Sequence, residues 1–557
     1  MEKDKSKPPF RVVVIGIDGA TFDIIDPLIE KGELPNFAEL IANGTRGTLS
    51  SVIPDLSPAA WSSFMTGKHP GKHGILDFFG QMPGSYDIVF YNASYRKSRP
   101  IWMLLSEVGK TACVINVPYS YPPDAVNGIM ISGMDTPGEF SDFVYPKSFR
   151  AELDAAIGGY IIEKAERNVG HQVSRYMESL MAVSNNRFAA AEYLLKKQAW
   201  DFFMVVFEST DRAQHNFWKY MDPTHPEYQK KDHARFGSFI ADTYKDIDRK
   251  LGELMRYVPE DVVVIVVSDH GFGPLRKGVR LTHWLKLEGY LTVRNEQYFE
   301  FARLYLKENL RRIVKKKPFS YLLKFRKLST VQPKGGMATL DFLNMNKTQV
   351  YPVGGCGSLC INLKGRQPSG VVSSGAPYER LRDELIEKLS QLRDPETNQL
   401  VIRSIRRRED VYDVFPDETP DLLIEWGKGY SAIGERELAV LGIRKGNMLF
   451  TPHRWSGNHL PNGIFIAGGP PIRQNAVIEN AEIVDMAPTI LSVMDMDIPN
   501  DMDGSVIEKV FTNDFLAAAT LRRSVADPAG NLTTKLDYSD EESEIIKDRL
   551  RALGYIE

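Results

Sequence analysis

Long apolar runs rich in β-branched and aromatic residues recur along this chain, and each is bounded by polar residues or glycine. Uninterrupted runs of this kind predict strands that are buried on both faces, as in the interior of a parallel sheet. The clearest runs cover residues 11–17, 200–207, 262–267 and 463–470. Amphipathic patterns between them predict helices at residues 27–42, 176–197 and 378–393. Strands that alternate with helices indicate an α/β fold with a mostly parallel central sheet.

Acidic and histidine residues follow two of these strands directly at their carboxyl ends. Asp18 follows the first strand, and Asp269 and His270 follow the strand at 262–267. In open α/β sheets, ligands bind in the crevice beyond the carboxyl ends of the strands. Carboxylate and imidazole groups together suit a divalent metal ion. The structural alternative is an aspartate that caps the next turn beside a hydrogen-bonded histidine.

The strand at 200–207 leads into Asp211 and His215, which are four residues apart. On a helix this spacing places both side chains on the same side. The pair is therefore a stronger indication of a metal site than either residue alone. A further histidine, His459, shortly precedes the strand at 463–470, and His453 competes with it for the same role.

Ser57 and Pro58 form a strong helix start, with serine as the N-cap and proline at the first helical position. Gly67 is placed to end this short helix. A capped helix with no further role is one interpretation. The functional interpretation uses the same geometry, because a serine at a helix N-terminus lies in the positive end of the helix dipole. A metal ion nearby would turn its hydroxyl into a nucleophile.

Composition limits the class of protein and gives no indication of a binding partner. A chain of 557 residues has room for one large domain with a subdomain or long insertions. Its 43% apolar and 25% charged content is that of an ordinary soluble globular protein. The net charge of −3 gives no electrostatic argument for a nucleic-acid polymer. The sequence gives no indication of the oligomeric state.

Three scattered cysteines predict no disulfide framework and favour a reducing compartment. The N-terminal residues lack the apolar segment of a signal peptide, and no apolar stretch approaches the roughly 18 residues of a membrane span. We therefore expect a cytoplasmic protein. A basic amphipathic stretch at residues 299–327 is read as a solvated helical face, with a lid over an anionic substrate or a peripheral contact with anionic lipid as alternatives.

The order of these residues resembles that of the alkaline phosphatase superfamily, most closely its type I phosphodiesterase/nucleotide pyrophosphatase branch. The matching segments are IGIDG at Asp18, LSPAAWSSFMTGKHPGKHGI at Ser57, DRAQH at Asp211, SDHGFG at Asp269 and GNHLPNGIFIAGGP at His459. The resemblance implies a three-layer α/β sandwich with a mostly parallel central sheet and helical or cap insertions. It divides the chain into a first core part at 10–275, a basic helical insertion or cap at 276–349, a second core part at 350–512 and a C-terminal helical tail at 513–557.

The resemblance also implies a ligand set for two divalent ions, with zinc first and manganese as the alternative. One ion would be held by Asp211, His215 and His459. The other would be held by four residues: Asp18, Asp269, His270 and the nucleophile Ser57.

Two departures from the branch concern the substrate. The branch usually has threonine where Ser57 stands, and an asparagine that contacts phosphate where Phe78 stands. Asp77 is the nearest candidate to replace that asparagine, and Lys68 is a candidate to attract an anionic substrate. The preference between phosphate monoesters and diesters therefore stays open. The sulfatase pattern is absent, because Pro58 follows Ser57 directly.

The predicted function is that of a metal-dependent hydrolase of small phosphate esters, of the phosphodiesterase/nucleotide pyrophosphatase type, that works through a phosphoryl-serine intermediate. A phosphomonoesterase and a transferase resembling phosphoglycerate mutase share the same core and are the alternatives. A non-catalytic binding protein on this scaffold is an alternative of another class.

Overall fold

The structure is a computed structural model that describes residues 9–163, 173–197, 199–295, 340–433, 449–519, 522–525 and 535–553. The basic stretch predicted at 299–327 lies outside the described residues. Within the described part of the chain, no helix has the length and apolar character needed to span a bilayer.

The strands, in chain order, are β1 (Arg11–Ile17), β2 (Thr45–Ser50), β3 (Phe79–Gln81), β4 (Ile88–Phe90), β5 (Ala112–Val117), β6 (Gly128–Ser132), β7 (Val144–Tyr145), β8 (Phe202–Phe207), β9 (Val262–Val267), β10 (Gly271–Pro274), β11 (Lys277–Val279), β12 (Val350–Val353), β13 (Ser358–Ile361), β14 (Ile402–Arg407), β15 (Leu422–Trp426), β16 (Tyr430–Ala432), β17 (Phe450–Thr451), β18 (Gly457–Leu460), β19 (Asn462–Gly468), β20 (Ala476–Glu482), β21 (Ile498–Pro499) and β22 (Arg523–Ser524). The α-helices are α1 (Phe22–Glu30), α2 (Pro35–Ala42), α3 (Ser57–Thr66), α4 (Pro70–His73), α5 (Ile101–Glu107), α6 (Arg150–Ile157), α7 (Val173–Lys197), α8 (Ser209–Met221), α9 (Lys230–Phe236), α10 (Phe239–Met255), α11 (Leu281–Leu287), α12 (Ala376–Ser390), α13 (Met486–Val493), α14 (Asn513–Ala518) and α15 (Asp540–Leu553).

A nine-stranded sheet forms the centre of the molecule, in the order β20-β2-β19-β9-β1-β8-β5-β6-β7. Strand β1 pairs in parallel with both β8 and β9. Strand β19 is antiparallel to both of its neighbours, and β7 is antiparallel at one edge. The predicted α/β fold with a mostly parallel central sheet is confirmed.

Both faces of the sheet are covered, which is why its central strands β8 and β9 are apolar at every position. Along β1, Val13 and Ile15 pack into one hydrophobic cluster, together with side chains from α1, α2, α7, α8 and α10. Val12 and Val14 pack into a second cluster, with side chains from α3, α5 and α13. The sheet and its two helical layers form the predicted three-layer sandwich.

A smaller unit has its own sheet and core. Strands β12, β13, β15 and β14 form a four-stranded sheet, antiparallel at each junction, and α11 and α12 add side chains to its hydrophobic cluster. Strand β14 is mostly only partly buried, as in an antiparallel sheet with one solvated face. The sequence analysis assigned residues 350–512 to the second part of the core, and within this range β19 and β20 join the central sheet. The predicted domain boundaries stay predictions.

Two local predictions need correction. The helix predicted at 27–42 is two helices, α1 and α2, because Gly32 adopts a positive φ of 73° and Pro35 begins a new helix. The helix that begins at Ser57 has Leu56 as its N-cap, so the Ser57 hydroxyl does not cap it. Gly67 ends this helix in the left-handed conformation, as predicted.

Candidate active site

Three neighbouring strands bring the predicted polar residues to one edge of the sheet. In the parallel register, Ile17 of β1 lies beside Phe207 of β8, and Gly16 of β1 lies beside Val267 of β9. The three strands therefore end at the same level. The residues that follow them at this edge are Asp18 after β1, Asp211 on α8 after β8, and Asp269 with His270 after β9.

The first group of candidate metal ligands is Asp211, His215 and His459, which are all buried. Asp211 Oδ1 lies 3.2 Å from His215 Nε2 and 3.3 Å from His459 Nε2. The two Nε2 atoms are 3.1 Å apart. Strand β18 delivers His459 to this position through antiparallel pairing with β10, which directly follows His270.

The second group lies beside the first and includes Ser57. His270 Nε2 lies 3.3 Å from Asp269 Oδ2 and 3.6 Å from Asp18 Oδ1. Ser57 Oγ lies 3.4 Å from His270 Nε2 and 3.5 Å from Asp18 Oδ1. The rings of His270 and His459 stack with centroids 3.6 Å apart, so the two groups are in contact.

All three histidines hold the same tautomer. The Nδ1 atom of each lies 2.8–3.0 Å from a backbone carbonyl oxygen: Gly457 for His215, Gly271 for His270 and Asp55 for His459. A carbonyl oxygen only accepts, so each Nδ1 donates and each Nε2 is left as the lone-pair nitrogen of the neutral ring. The histidine side of both groups is therefore arranged to bind a metal ion.

The buried charges also fit divalent cations. Burial and the charge of Asp211 raise the pKa of Asp18 to about 8. Burial and the charge of Asp18 raise the pKa of Asp269 well above its usual range. Burial acts in the same direction on Asp211, but His215 and His459 outweigh it and hold the pKa of Asp211 well below its usual range. Cations among these carboxylates would remove the repulsion, and carboxylate with imidazole is a ligand set for zinc or manganese.

Burial lowers the pKa of both His215 and His270, which keeps these rings neutral near neutral pH. Burial has the same tendency at His459, but the hydrogen bond and charge of Asp211 outweigh it and raise its pKa. Two imidazole Nε2 atoms and one carboxylate oxygen thus converge, and either a proton or a metal ion must lie between them.

Helix α3 is fixed against β1 by a tryptophan that the sequence analysis did not identify. Trp61 Nε1 donates a 3.0 Å hydrogen bond to Asp18 Oδ2. Its ring lies so close to β1 that a Cβ atom on Gly16 would approach Trp61 Cη2 to 2.6 Å. The glycine therefore permits the contact that places Ser57 beside Asp18.

The other predicted site residues lie elsewhere. His453 accepts a 3.0 Å hydrogen bond from the Trp455 backbone N–H, and burial lowers its pKa to about 3. It is not part of either ligand group, whereas His459 is. Lys68 lies beyond the C-terminal end of α3, about 15 Å along the helix from Ser57, and forms an ion pair with Asp501.

Asp77 and Phe78 are likewise turned away from the ligand groups. Asp77 Oδ2 accepts a 2.8 Å hydrogen bond from the Gly355 backbone N–H, and Oδ1 accepts one from the backbone N–H of Phe78. Burial raises the pKa of Asp77 to about 6. The ring of Phe78 is fully buried in a hydrophobic cluster that also contains Met134. A phosphate contact at position 77 or 78 stays a prediction.

Arg212 is a buried cation that sequence reasoning overlooked. Its Nη1 lies 3.4 Å from Asp211 Oδ2, and its Nη2 lies 3.7 Å from Met134 Sδ. Met134 packs in the same hydrophobic cluster as Phe78, so Arg212 contacts one member of that cluster. The sequence does contain an indication of this residue. Arg212 directly follows Asp211 in DRAQH, on the helical turn that carries two predicted ligands.

A cavity of about 450 Å³ opens beside His459, between the core and the smaller unit. Asp55, Arg403, Arg454 and Trp455 are among the residues that line it. The Trp455 ring stacks on His215 with centroids 3.8 Å apart. The cavity reaches the first ligand group at His459.

The sequence and fold match known proteins. The family model described as type I phosphodiesterase / nucleotide pyrophosphatase matches residues 12–457. The fold is similar to that of phosphonoacetate hydrolase from Sinorhizobium meliloti 1021 in complex with phosphonoformate, with a TM-score of 0.52 and 15% identity over 88% of this chain and 97% of that one. It is also similar to an inactive murine ectonucleotide pyrophosphatase/phosphodiesterase 5 in complex with AMP, with a TM-score of 0.50 and 13% identity over 90% of this chain and 100% of that one. The family match spans most of the chain, which therefore belongs to the type I phosphodiesterase/nucleotide pyrophosphatase family of phosphoric ester hydrolases.

Proposed function

We propose that this protein hydrolyses small phosphate diesters at the paired ligand groups, with Ser57 as the nucleophile. The observation that carries the proposal is the position of Ser57 Oγ, 3.4 Å from His270 Nε2 and 3.5 Å from Asp18 Oδ1, at the first residue of α3. Because Leu56 takes the cap position, the hydroxyl is directed to the ligand groups and not to the helix backbone.

Asp211, His215 and His459 would hold one divalent ion, and Asp18, Asp269, His270 and Ser57 would hold the other. We propose zinc, with manganese as the second choice. Bound ions would supply positive charge to the phosphoryl oxygens and favour loss of the serine proton.

In the proposed reaction, the chain itself supplies the nucleophile. Ser57 Oγ loses its proton and bonds to phosphorus while the ester oxygen on the opposite side leaves and takes up a proton. Water then cleaves the bond between Ser57 and phosphorus, which restores the hydroxyl and releases the second product. The positive end of the α3 dipole lies at Ser57 and stabilises the negative charge that develops there.

Replacement of the nucleophile tests this proposal. We expect Ser57→Ala to reduce hydrolysis of bis-p-nitrophenyl phosphate at least 1,000-fold, on the order of 4 kcal/mol of transition-state stabilisation, with little change in bound metal measured by mass spectrometry. Ser62→Ala is the matched control, because Ser62 lies on the same helix and its Oγ has no hydrogen-bond partner among the described residues. Equal activity of the Ser57 variant and the control would refute the assignment.

A phosphomonoesterase is the second candidate, favoured by Arg212. A guanidinium presents several donors to phosphate oxygens, and it suits the dianionic monoester better than the monoanionic diester. Rates on p-nitrophenyl phosphate and on its bis-ester compare the two directly. A hundredfold preference for the diester would support the first proposal, and a preference for the monoester would replace it with the second. Transfer of labelled phosphate to an added alcohol would identify a phosphotransferase.

A further inference from the structure

A second cavity of about 460 Å³ adjoins the one beside His459. It lies between the core segment around the β3–β4 hairpin and the smaller unit. Gly355, Ala432 and Ile433 line both cavities. The two cavities therefore adjoin at these three residues.

The second cavity is walled mainly by hydrocarbon. Phe79, Val89, Phe342 and Val353 line it, and Phe79 packs edge-on against Phe90 behind the wall. Its volume is within the range of ligand-binding cavities. Burial of an uncompensated polar group costs free energy, whereas burial of an apolar one releases it, so the lining favours a hydrocarbon group.

Most polar groups of the wall already have protein partners. Asp77 accepts hydrogen bonds from two backbone N–H groups, as described above, and Tyr86 donates a 2.7 Å hydrogen bond to Asn362 Oδ1. Two buried lining atoms, Gln81 Nε2 and Thr419 Oγ1, have no hydrogen-bond partner among the described residues. Both can donate, as an ester carbonyl requires.

We propose that the second cavity binds a hydrocarbon chain of the substrate, so that the natural substrate is a phosphate ester with an alkyl or acyl group. The inference rests on the proposed function, because the metal-ligand groups must hold the phosphate. The shared lining of the two cavities indicates where the occupant lies relative to the phosphate, and the apolar wall indicates its chemistry.

The direct test is the affinity of zinc-loaded protein for ethyl, butyl, hexyl and octyl phosphate, measured by calorimetry below the aggregation concentration of each compound. We expect the dissociation constant to fall by up to about fourfold for each added methylene until the cavity is full. An affinity that does not change with chain length would overturn the proposal.

A charged residue in the wall of the second cavity tests where the hydrocarbon chain binds. Val353→Asp should reduce the ratio of octyl to ethyl phosphate affinity at least tenfold, because the chain must then lie against a carboxylate. Val477→Asp is the matched control, since Val477 is 73% exposed and does not line either cavity; its ratio should equal that of the wild type. If Val353→Asp does not fold, Val89→Asp places the charge on the opposite wall. An unchanged ratio in the folded variant would refute the location.

Two further results separate the possible failures. If AMP binds more tightly than octyl phosphate and loses affinity in Val353→Asp, the occupant is a nucleobase and the hydrocarbon proposal is wrong. Hydrolysis of bis-p-nitrophenyl phosphate with no dependence on chain length would refute this inference alone. Binding that depends on chain length in a protein that hydrolyses no ester would refute the proposed function alone.

Discussion

At the scale of single residues, the preference between phosphate monoesters and diesters depends on which side chain contacts the phosphate. The family resemblance predicts a phosphate-contacting asparagine where Phe78 stands, and Phe78 is buried in the hydrophobic core. Arg212 is a buried cation beside Asp211. We propose that Arg212, on helix α8, supplies positive charge to the phosphate and so affects the preference for monoester or diester.

We expect Arg212→Ala to lower kcat/KM for p-nitrophenyl phosphate at least tenfold more than for its bis-ester, because the monoester carries the larger negative charge. Arg212→Lys should restore part of the difference, since a lysine keeps the charge but not the planar donors. The ratio of the two substrates is measured, so a general loss of folded protein does not affect it. Equal losses on both substrates would show that Arg212 has a structural role only.

At the scale of elements, the contact between α3 and β1 fixes the position of the nucleophile Ser57. Trp61 is fully buried, and its indole donates to Asp18 while its ring covers Gly16.

The C-terminal helix α15 supports the other side of the site. Arg549 on α15 donates to the Met134 and Pro137 carbonyl oxygens, and Trp455, which stacks on His215, donates its indole N–H to the Leu553 carbonyl oxygen.

Gly16→Ala tests this contact between α3 and β1. The new methyl group would lie 2.6 Å from Trp61 Cη2 and 2.8 Å from Val206 Cγ2. We expect the free energy of unfolding to fall by about 1–3 kcal/mol, as in other overpacked cores, with a loss of turnover because α3 must shift. Chemical denaturation measures the first effect. In the Trp61→Phe background the ring is smaller, so the cost of Gly16→Ala should be less; strictly additive costs would contradict the proposed contact.

At the scale of the whole molecule, two buried carboxylates with raised pKa values at one edge of a sheet should make stability depend on metal and pH together. In the metal-free protein, the pKa of Asp18 is raised from 3.8 to about 8, and that of Asp269 is also raised. A carboxyl group whose pKa is higher in the folded state binds more protons there than in the unfolded state. Its contribution to stability is therefore present at low pH and lost as pH rises through the folded-state value.

We therefore expect metal-free protein to lose stability as pH rises from about 4 to about 8, relative to zinc-loaded protein. The difference in Tm between the two forms should widen over this range, because bound cations favour the ionised carboxylates. Thermal unfolding with and without a chelator measures it. A difference in Tm that is constant with pH would show that these carboxylates do not hold the metal.

The sequence by itself predicted the sheet and the residues of the two ligand groups, with His453 in competition with His459 for one place. Both predictions depend on local rules, because an unbroken apolar run is a strand buried on both faces and its next residues lie at the sheet's carboxyl edge. The spacing of Asp211 and His215 also needed only the helical period. The family resemblance supplied the order in which these residues recur along the chain.

Only the tertiary structure decided which other side chains reach the site. His459 and not His453 joins the ligand groups, because strand β18 pairs with β10. Lys68 is separated from Ser57 by the length of α3, and Phe78 packs inward. The two cavities lie between units that are distant in sequence. Such placements result from long-range packing, which no local pattern of residues encodes.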